Sequence, residues 1–331
     1  MAKNYYLFKN GRLQRKDHSF VFHITEADDH KYLPIEDIDA FYVFGEIDLN
    51  SKLLNFLGQN GIPAHFFNYY GFYTGTLYPR EKLVSGFLLV NQVGHYSESE
   101  KRLTLAKNFV ESAAYVILTN LKYYRNKNRD LSEAIARIEA LSLSIQKMGS
   151  IPALMGIEGN IRQSYYETFE SIIQQEISFK KRVKRSPDNM VNSLISFMNS
   201  LVYTTCLSEI YKTQLNPTVS FLHEPGEKRF SLSLDLAEIF KPLIADRIIF
   251  SVLNKKQITE DDFEKGSEGV FLTEKARKIL IQAYDDKLRD TVKHRQLKRS
   301  VSYQYLIRLE CYKLIKHLMD EQAYESFKIY W

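Results

Sequence analysis

The stretch PAHFFNYYGFYTGTLYPREK, residues 63–82, contains the point at which the sequence changes its pattern. Before Pro79, aromatic and β-branched residues are interrupted by Gly, Pro and Asn, which is typical of strands joined by turns. After it, apolar residues recur with the period of a helix. We therefore predict an α+β protein with two domains. The predicted parts are a small β-rich domain (1–78), a linker (79–86) and a larger all-α domain (87–331).

The β-rich pattern extends back to the start of the chain. Segments such as AFYVFG at 40–45 have the aromatic and β-branched composition of strands. The dipeptide Asn10-Gly11 lies between apolar flanks, and because glycine tolerates positive φ it predicts a hairpin turn. SKLLNFL at 51–57 predicts a short amphipathic helix that ends at Gly58.

The part after the linker has the pattern of a helical domain. Within 101–124, apolar residues recur every three or four positions, as they do on the buried face of a helix. Six further segments have the same pattern, and almost no strand is expected from about residue 85 onward. The predicted helices are 101–124, 131–148, 160–179, 191–211, 231–253, 273–290 and 301–321.

The composition is that of a folded globular protein. Of 331 residues, 44% are hydrophobic and 26% are charged, which argues against a disordered chain, a coiled coil and a fibrous repeat. Cys206 and Cys311 have no metal-ligand spacing, so a disulfide framework is excluded and a reducing cytoplasm is expected. The apolar runs are too short to span a membrane.

Several common catalytic motifs are absent from the sequence. It contains no G-x-x-x-x-G-K-[ST], no H-E-x-x-H, no C-x-x-C and no G-x-S-x-G. A P-loop nucleotide site, a zinc protease, a zinc finger and an α/β-hydrolase are therefore not indicated. Carboxylate, histidine and basic side chains remain as the groups available for chemistry.

Positive charge is concentrated in two places, although the net charge is only +5. Between 287 and 316, nine Lys or Arg stand against two acids, with three tyrosines interleaved. Such a surface suits the phosphate backbone of DNA, because binding there releases counterions. A solvated helical face has the same composition, so charge alone leaves both possibilities open. The DNA-binding candidates in the two stretches are Lys180, Lys181, Arg182, Lys184, Arg185, Arg295, Lys298 and Arg299.

Three segments contain candidate metal ligands. The first two segments contain one candidate each. Glu158, in MGIEGNIR, lies between two glycines at the predicted start of a helix, where small neighbours let a ligand approach closely. His223 lies in a turn marked by Pro225-Gly226. A glutamate at a helix start also favours the helix dipole, and a lone histidine in a turn is most often a surface residue. Neither position establishes a site by itself.

The third segment contains Asp235 and Glu238, three residues apart on one helix face. The rest of that face is apolar, so both carboxylates are expected to be half-buried and to need a partner. Pro242 leaves the carbonyl of residue 238 without its helical donor, which predicts a kink beside Glu238. Glu158, His223 and Glu238 together would form an oxygen-rich site suited to Mg²⁺ or Mn²⁺. Their spacing does not establish that the three segments meet in space.

At these residues the sequence resembles the metal-binding motifs of the CRISPR-associated integrase family, the larger, catalytic subunit of the CRISPR adaptation complex. The motifs are MGIEGNIR and, after the histidine, SLSLDLAEIFKP. Other stretches are similar to the same family, and the resemblance covers nearly the whole chain, with the subtype I-B branch the most similar. These stretches are DAFYVFGEIDLNSKLLNFL (39–57), HFFNYYGFYTG (65–75), YPRE (78–81), DNMVNSLISF (188–197) and GVFL (269–272).

The resemblance implies the residues and partners of a metal-dependent DNA integrase. Carried over residue by residue, Glu158, His223 and Glu238 correspond to metal ligands. Asp235 matches a further acidic position beside the site, and Lys228 matches a lysine of some relatives. The resemblance also implies Mg²⁺ or Mn²⁺ as cofactor, a homodimer formed largely through the β-rich domain, and a small ferredoxin-like CRISPR-associated partner between two dimers. The family's specific DNA contacts do not transfer to this sequence.

The implied reaction is metal-assisted phosphoryl transfer. The 3′-hydroxyl of a captured double-stranded DNA fragment attacks a phosphodiester at the leader–repeat end of a CRISPR array, and the fragment becomes a new spacer. Lys228 and Arg229 are then candidates to offset negative charge in the transition state. Two alternatives remain open: a structure-selective, metal-dependent DNA nuclease without integration activity, and a non-catalytic DNA-binding assembly module.

Overall fold

The chain forms two compact units, Met1–Val84 and Ser85–Trp331, in the computed structural model. The boundary between them falls within the stretch predicted as a linker, 79–86. The residues that the structure describes are 2–25, 27, 29–127, 129–179, 181–183, 186–226, 230–267, 269–325 and 327–329.

Among its described residues, the first unit contains two four-stranded sheets, one α-helix and one 3-10 helix, Ile35–Asp37. One sheet has the strand order β1-β5-β7-β8 and the other β4-β3-β2-β6. In the first sheet, β1, β5 and β7 are parallel and β8 is antiparallel to β7. The elements are β1 (Lys3–Leu7), β2 (Gly11–Lys16), β3 (Ser19–Ile24), β4 (Asp29–Pro34), β5 (Ile38–Val43), β6 (Ile47–Asp48), α1 (Ser51–Asn60), β7 (Ala64–Phe67) and β8 (Tyr73–Leu77).

The hairpin predicted at Asn10-Gly11 is wrong. β1 and β2 belong to different sheets: β1 pairs with β5, and β2 pairs with β3 and β6. Gly11 is required for another reason, since a Cβ at this position would lie 2.1 Å from the carbonyl oxygen of His23 on β3. The glycine therefore permits a close approach of two backbones rather than a turn.

We expect Gly11→Ala to destabilise the first unit by about 2–3 kcal/mol, because the added methyl group meets a backbone atom that cannot rotate away. Gly58→Ala is the matched control, since a Cβ at Gly58 meets nothing within 4 Å and alanine favours a helix. Urea unfolding monitored by circular dichroism measures both. Equal midpoints for Gly11→Ala and the wild type would contradict the close approach.

A mixed aromatic and aliphatic core joins the sheets and helix of the first unit. Phe20 is fully buried and contacts the rings of Phe41 and Phe56 at centroid distances of 5.2 and 5.1 Å. The helix α1 extends beyond the predicted end at Gly58 as far as Asn60. Gly61 then ends it in the left-handed region, at φ 69°, where glycine has no steric penalty.

The second unit is mainly helical, and the predicted order of a β-rich part followed by a helical part is confirmed. The helix α7 is buried along nearly all of its length, so it forms the centre, and α8 and α11 pack against it. The helices are α2 (Gly86–Ser97), α3 (Ser99–Arg125), α4 (Ser132–Ser144), α5 (Ile151–Tyr166), α6 (Phe169–Ile172), α7 (Met190–Tyr211), α8 (Ser231–Phe240), α9 (Asp246–Asn254), α10 (Glu274–Arg289) and α11 (Tyr303–Leu318).

The expectation of almost no strand after residue 85 requires a correction. Two antiparallel hairpins interrupt the helices, so this unit is not all-α. The first hairpin docks on the segment before α7: the Val270 amide donates to the Pro187 carbonyl at 2.8 Å, and Gly269 adopts a φ of 147° where a Cβ would clash with the same carbonyl. The strands are β9 (Phe263–Gly266), β10 (Gly269–Leu272), β11 (Thr291–His294) and β12 (Arg299–Ser302).

The kink predicted beside Glu238 falls where the regular α-helix is interrupted at Pro242. A π-helical turn, Lys241–Ala245, separates α8 from α9. Because Pro242 has no amide hydrogen, the Glu238 carbonyl accepts instead from the guanidinium of Arg162 on α5, at 2.9 Å. The break in α8 therefore creates an acceptor that a second helix uses.

Neither cysteine is available at the surface, since Cys206 and Cys311 are both buried with free thiols. Among the helices of the described residues, none combines the length and apolar composition that crossing a bilayer requires.

Candidate active site

Glu158 lies in the middle of α5 rather than at the start of a helix, as the sequence had predicted. The helix begins at Ile151, where the side chain of Ser150 accepts a hydrogen bond from the Ala153 amide. A Cβ at either glycine beside Glu158 would meet nothing within 4 Å, so the helix surface around this carboxylate is open. The Glu158 side chain itself is 22% exposed, so part of it reaches the surface.

Arg162 joins Glu158 to Glu238. Arg162 lies one turn after Glu158 on α5. Its Nε donates to Glu158 Oε1 at 3.2 Å, and its Nη2 donates to Glu238 Oε2 at 2.5 Å. The Nη2 group also donates to the Glu238 carbonyl that Pro242 leaves free, at 2.9 Å. A single guanidinium thus links the two glutamates that the sequence analysis selected as ligands.

Lys241 is the second cation beside Glu238. Its Nζ lies 2.5 Å from Glu238 Oε1, at a spacing of three residues, while Arg162 contacts the other carboxylate oxygen. Both oxygens of Glu238 are therefore bonded to a positive group, and the side chain is about nine-tenths buried.

Asp235 organises the segment that carries His223. The carboxylate is fully buried and accepts from the backbone amides of Phe221, Leu222 and His223 at 2.7, 3.0 and 2.9 Å. Its Oδ1 also lies 2.8 Å from Nδ1 of the His223 ring. A carboxylate at Nδ1 orients the imidazole and leaves Nε2 as the nitrogen able to bind a cation or a proton.

The electrostatics of the cluster are set by burial and by its own charges. Burial and the charge of Glu238 raise the pKa of Glu158. Burial acts to raise the pKa of Glu238 too, but Lys241, Arg162 and His223 outweigh it and hold that pKa well below its usual range. Burial lowers the pKa of His223, yet the hydrogen bond to Asp235 and the charge of Glu238 raise it overall. These mutual effects indicate that Glu158, His223 and Glu238 belong to one cluster.

The donor set of this cluster fits a hard divalent cation. Two carboxylates and an imidazole held by a second carboxylate are the groups that Mg²⁺ and Mn²⁺ use, and a Lys241 ammonium already lies where positive charge is favoured. As the side chains stand, no three acidic, histidine or cysteine residues within the described ranges could hold one ion together. In this arrangement Arg162 pairs with both glutamates, and Lys241 pairs with Glu238 as well.

Behind the cluster lies a further buried carboxyl, Asp246, at the start of α9. It is 1% exposed, and its Oδ2 has no hydrogen-bond partner among the described residues. Burial raises the pKa of Asp246 to about 7, although Arg162, Lys241 and a hydrogen bond with Tyr165 act to lower it and Glu238 adds to the rise. The carboxyl is therefore ionised at neutral pH only at a cost to the folded state.

We expect Asp246→Asn to stabilise the protein at pH 8 but not at pH 4. Since the pKa is about 7 in the folded chain and near 3.8 in the unfolded one, the folded state binds the extra proton between these values and wild-type stability falls as pH rises from about 4 to 7. Melting temperatures of both proteins in EDTA measure the difference. The pKa of Glu158 is raised in both proteins, so its effect on the pH dependence of stability cancels in the comparison. If the melting temperatures of the variant and the wild type differ by the same amount at pH 4 and pH 8, the raised pKa of Asp246 is contradicted.

The candidate DNA-binding residues have different surroundings. Arg182 is turned towards α7, where its guanidinium donates to the Asn192 side chain at 3.0 Å and to Ser196 Oγ at 2.9 Å, so it is occupied within the fold. Lys181 is exposed. Arg295, Lys298 and Arg299 are exposed on the β11–β12 hairpin. Lys180, Lys184 and Arg185 lie outside the described residues, as do Lys228 and Arg229.

Sequence reasoning missed three members of the cluster: Arg162, Lys241 and Asp246. A signal existed for the first two, since Arg162 follows Glu158 by four residues and Lys241 follows Glu238 by three, both spacings that place side chains together on a helix. Asp246 had no such signal, because the π-helical turn before it changes the direction of its side chain.

The chain is similar over nearly its whole length to proteins of one family. The profile of the family described as "CRISPR associated protein Cas1" matches residues 5–286. A CRISPR-associated endonuclease Cas1 from Fusobacterium nucleatum is 53% identical over 331 residues, which cover 100% of this chain and 98% of the relative. The solved structure of a Cas1 protein from Thermotoga maritima superimposes with a TM-score of 0.89 at 40% identity, covering 98% of this chain and 100% of that one.

Two more distant structures share the fold. A casposase bound to its integration product superimposes with a TM-score of 0.84 at 20% identity, covering 98% of this chain and 94% of that chain. A chain of a Cas6-RT-Cas1–Cas2 complex superimposes with a TM-score of 0.86 at 16% identity, covering 99% of this chain and 36% of that longer one. At these identities the likeness concerns the fold alone.

Proposed function

The chain belongs to the CRISPR-associated Cas1 family of endonucleases and integrases, and from this membership we propose that it inserts short foreign DNA fragments as new spacers at the leader–repeat end of a CRISPR array. The chemistry is attack of a fragment's 3′-hydroxyl on a phosphodiester. Hydrolysis of DNA at the same site is the corresponding endonuclease reaction, with water as the nucleophile.

The observation that supports this proposal is the Arg162 bridge between Glu158 and Glu238, with His223 beside it. Phosphoryl transfer requires positive charge close to the scissile phosphate and a group that can accept or donate a proton. The cluster supplies two carboxylates to hold a cation and one imidazole of raised pKa. It lies at an open part of α5, where both glycines leave space for a DNA strand.

Nucleases of this kind need divalent metals, and we assign Mg²⁺ or Mn²⁺ to Glu158, His223 and Glu238. When bound, the cation supplies Lewis acidity at the scissile phosphate and lowers the pKa of the attacking hydroxyl. Asp235 keeps the His223 ring in one orientation through Nδ1, so that Nε2 remains available to the cation. Lys228, seven residues before Asp235, is proposed to offset charge on the phosphate.

We assign the partners by the same family membership. Double-stranded DNA is the substrate, both as spacer precursor and as CRISPR repeat. The first unit is proposed to form the homodimer, and a small ferredoxin-like CRISPR-associated protein is proposed to join two dimers. The Cas6-RT-Cas1–Cas2 complex, one chain of which shares this fold, supports a partner of this type. The exposed residues of the β11–β12 hairpin, Arg295, Lys298 and Arg299, are proposed to contact the DNA backbone.

Strand transfer into a supercoiled plasmid that carries a CRISPR repeat and its leader tests the function. Purified protein, its small partner and a labelled DNA fragment are incubated with Mg²⁺, Mn²⁺ or EDTA, beside the Glu158→Ala variant. Glu133→Ala is the control, because that side chain is 89% exposed and pairs only with Arg137 among the contacts described. We expect labelled insertion with the wild type and the control, and none with Glu158→Ala or in EDTA.

The products separate the competing hypotheses. Nicking of the plasmid without insertion would favour a nuclease that does not integrate. Insertion by Glu158→Ala at the wild-type rate would show that the assigned site is wrong. Binding of DNA with neither cleavage nor insertion in any metal would favour the non-catalytic assembly module.

A further inference from the structure

Two positive side chains contact the same carboxylate, Glu238, but they are held in different ways. Arg162 approaches Oε2 and Lys241 approaches Oε1. Their attachments to the rest of the protein decide which of them is able to leave. This inference rests on the proposed function, since it concerns how the same site takes up its metal ion.

Arg162 is fixed. Its guanidinium makes three hydrogen bonds, to the Glu158 carboxylate, the Glu238 carboxylate and the Glu238 carbonyl. The carbonyl contact is part of the backbone structure, because Pro242 provides no amide to replace it. The side chain is 10% exposed, so its departure would leave Glu158 Oε1, Glu238 Oε2 and the Glu238 carbonyl without the donor that they share.

Lys241 is held by much less. The one described contact of its ammonium group is the bond to Glu238 Oε1. The side chain is 15% exposed and has a flexible four-carbon stem, so the ammonium can turn towards solvent without breaking any other described bond. The backbone of Lys241 begins the π-helical turn, so only the side chain has to change its conformation.

We propose that the Lys241 ammonium is a displaceable counter-ion that takes the place of the divalent cation on Glu238 when no metal is bound. An entering cation and the ammonium compete for Oε1, because two positive groups on one oxygen repel each other strongly in a buried site. Arg162 stays on Oε2 and keeps Glu158 and Glu238 together throughout the exchange. The carboxylate is therefore never left unpaired, which would be costly at this depth.

The proposal requires opposite effects from removing the two cations. Without Lys241 the metal no longer has to displace a competitor, so affinity rises. Without the forked guanidinium of Arg162 the two carboxylates are no longer held in register, so affinity falls. A general effect of positive charge on the site would instead raise affinity when Lys241 is lost and leave it unchanged when a lysine, which keeps the charge, replaces Arg162.

Mn²⁺ binding to the full-length, EDTA-treated protein tests this directly, with free Mn²⁺ measured by electron paramagnetic resonance. The variants are Lys241→Met and Arg162→Lys, with Lys275→Met as a control on an exposed lysine far along the chain. We expect about tenfold tighter binding for Lys241→Met and about tenfold weaker binding for Arg162→Lys. Lys241→Met should also melt at a lower temperature in EDTA and gain more than the wild type from added Mn²⁺.

The outcomes are distinguishable. If the wild type binds Mn²⁺ and Lys241→Met binds it no more tightly, the exchange is refuted and the proposed function is untouched. A shift in the same direction for both variants also refutes the exchange. If the wild type binds no Mn²⁺, the metal site itself is refuted, and the inference with it. Circular dichroism establishes that each variant is folded, and the melting temperatures in EDTA provide the result if one variant is too unstable for titration.

Discussion

Glu238→Gln is expected to reduce strand transfer by about 1,000-fold. A ligand to a divalent cation contributes several kcal/mol to the transition state, and each 1.36 kcal/mol is about a factor of ten. Glutamine keeps the size of the side chain and can still accept from Arg162, but it is neutral and loses the charge that attracts the cation. The measurement is the initial rate of plasmid insertion at saturating Mg²⁺.

Glu224→Gln is the matched control for this loss. Glu224 follows His223 directly, but its carboxylate is at the surface, 65% exposed, and pairs with Arg102 at 2.6 Å and with the Tyr96 hydroxyl. The arginine holds the pKa of Glu224 below its usual value, so the glutamate is charged and yet not part of the cluster. We expect its substitution to change the rate less than about twofold. An insertion rate within tenfold of wild type for Glu238→Gln would remove Glu238 from the catalytic assignment.

Asp235→Ala is expected to lower the free energy of unfolding by about 3–5 kcal/mol, the largest expected loss of stability. Its carboxylate accepts from three backbone amides and one imidazole, and alanine would leave these four donors without their acceptor. For a protein of this size the melting temperature should fall by about 10 °C. Calorimetry in EDTA measures this effect without any contribution from a metal.

The same variant has a spectroscopic signature that separates positioning from catalysis. Because the hydrogen bond to Asp235 raises the pKa of His223, removing it should lower that pKa, which a proton NMR titration of the imidazole detects. Ser233→Ala is the control for burial. Ser233 lies two residues earlier on α8 and is equally buried, but its hydroxyl has no partner among the described residues. If both variants lose the same stability, Asp235 does not organise the His223 segment.

The elements that were predicted correctly have causes that are local in sequence. Asp235 and Glu238 share a helix because the apolar period around them is helical, and the break follows because Pro242 has no amide hydrogen. The change from a β-rich to a helical part depends on composition over tens of neighbouring residues, so it too could be predicted from the sequence.

The features that were missed depend on partners distant in sequence. The dipeptide Asn10-Gly11 has the composition of a hairpin turn, but the strand pairing that competes with it involves β5, about thirty residues later. Arg182 belongs to a basic run that suggested solvent or DNA, yet the polar groups at the start of α7 bind its guanidinium. Only the folded chain brings these groups together.

The π-helical turn between α8 and α9 has a consequence for comparing sequences of this family. A π turn contains one residue more than the α-helical turn it replaces, and each residue of an α-helix advances the side-chain direction by about 100°. Deletion of one position from Lys241–Ala245 would therefore restore a continuous α-helix and leave Asp246, with everything after it on α9, in nearly the same direction relative to Glu238. A one-residue gap here keeps the helical phase. A gap of equal length within the regular turns of α8 or α9 would instead rotate every later residue of the helix by about 100° and reorient a buried face.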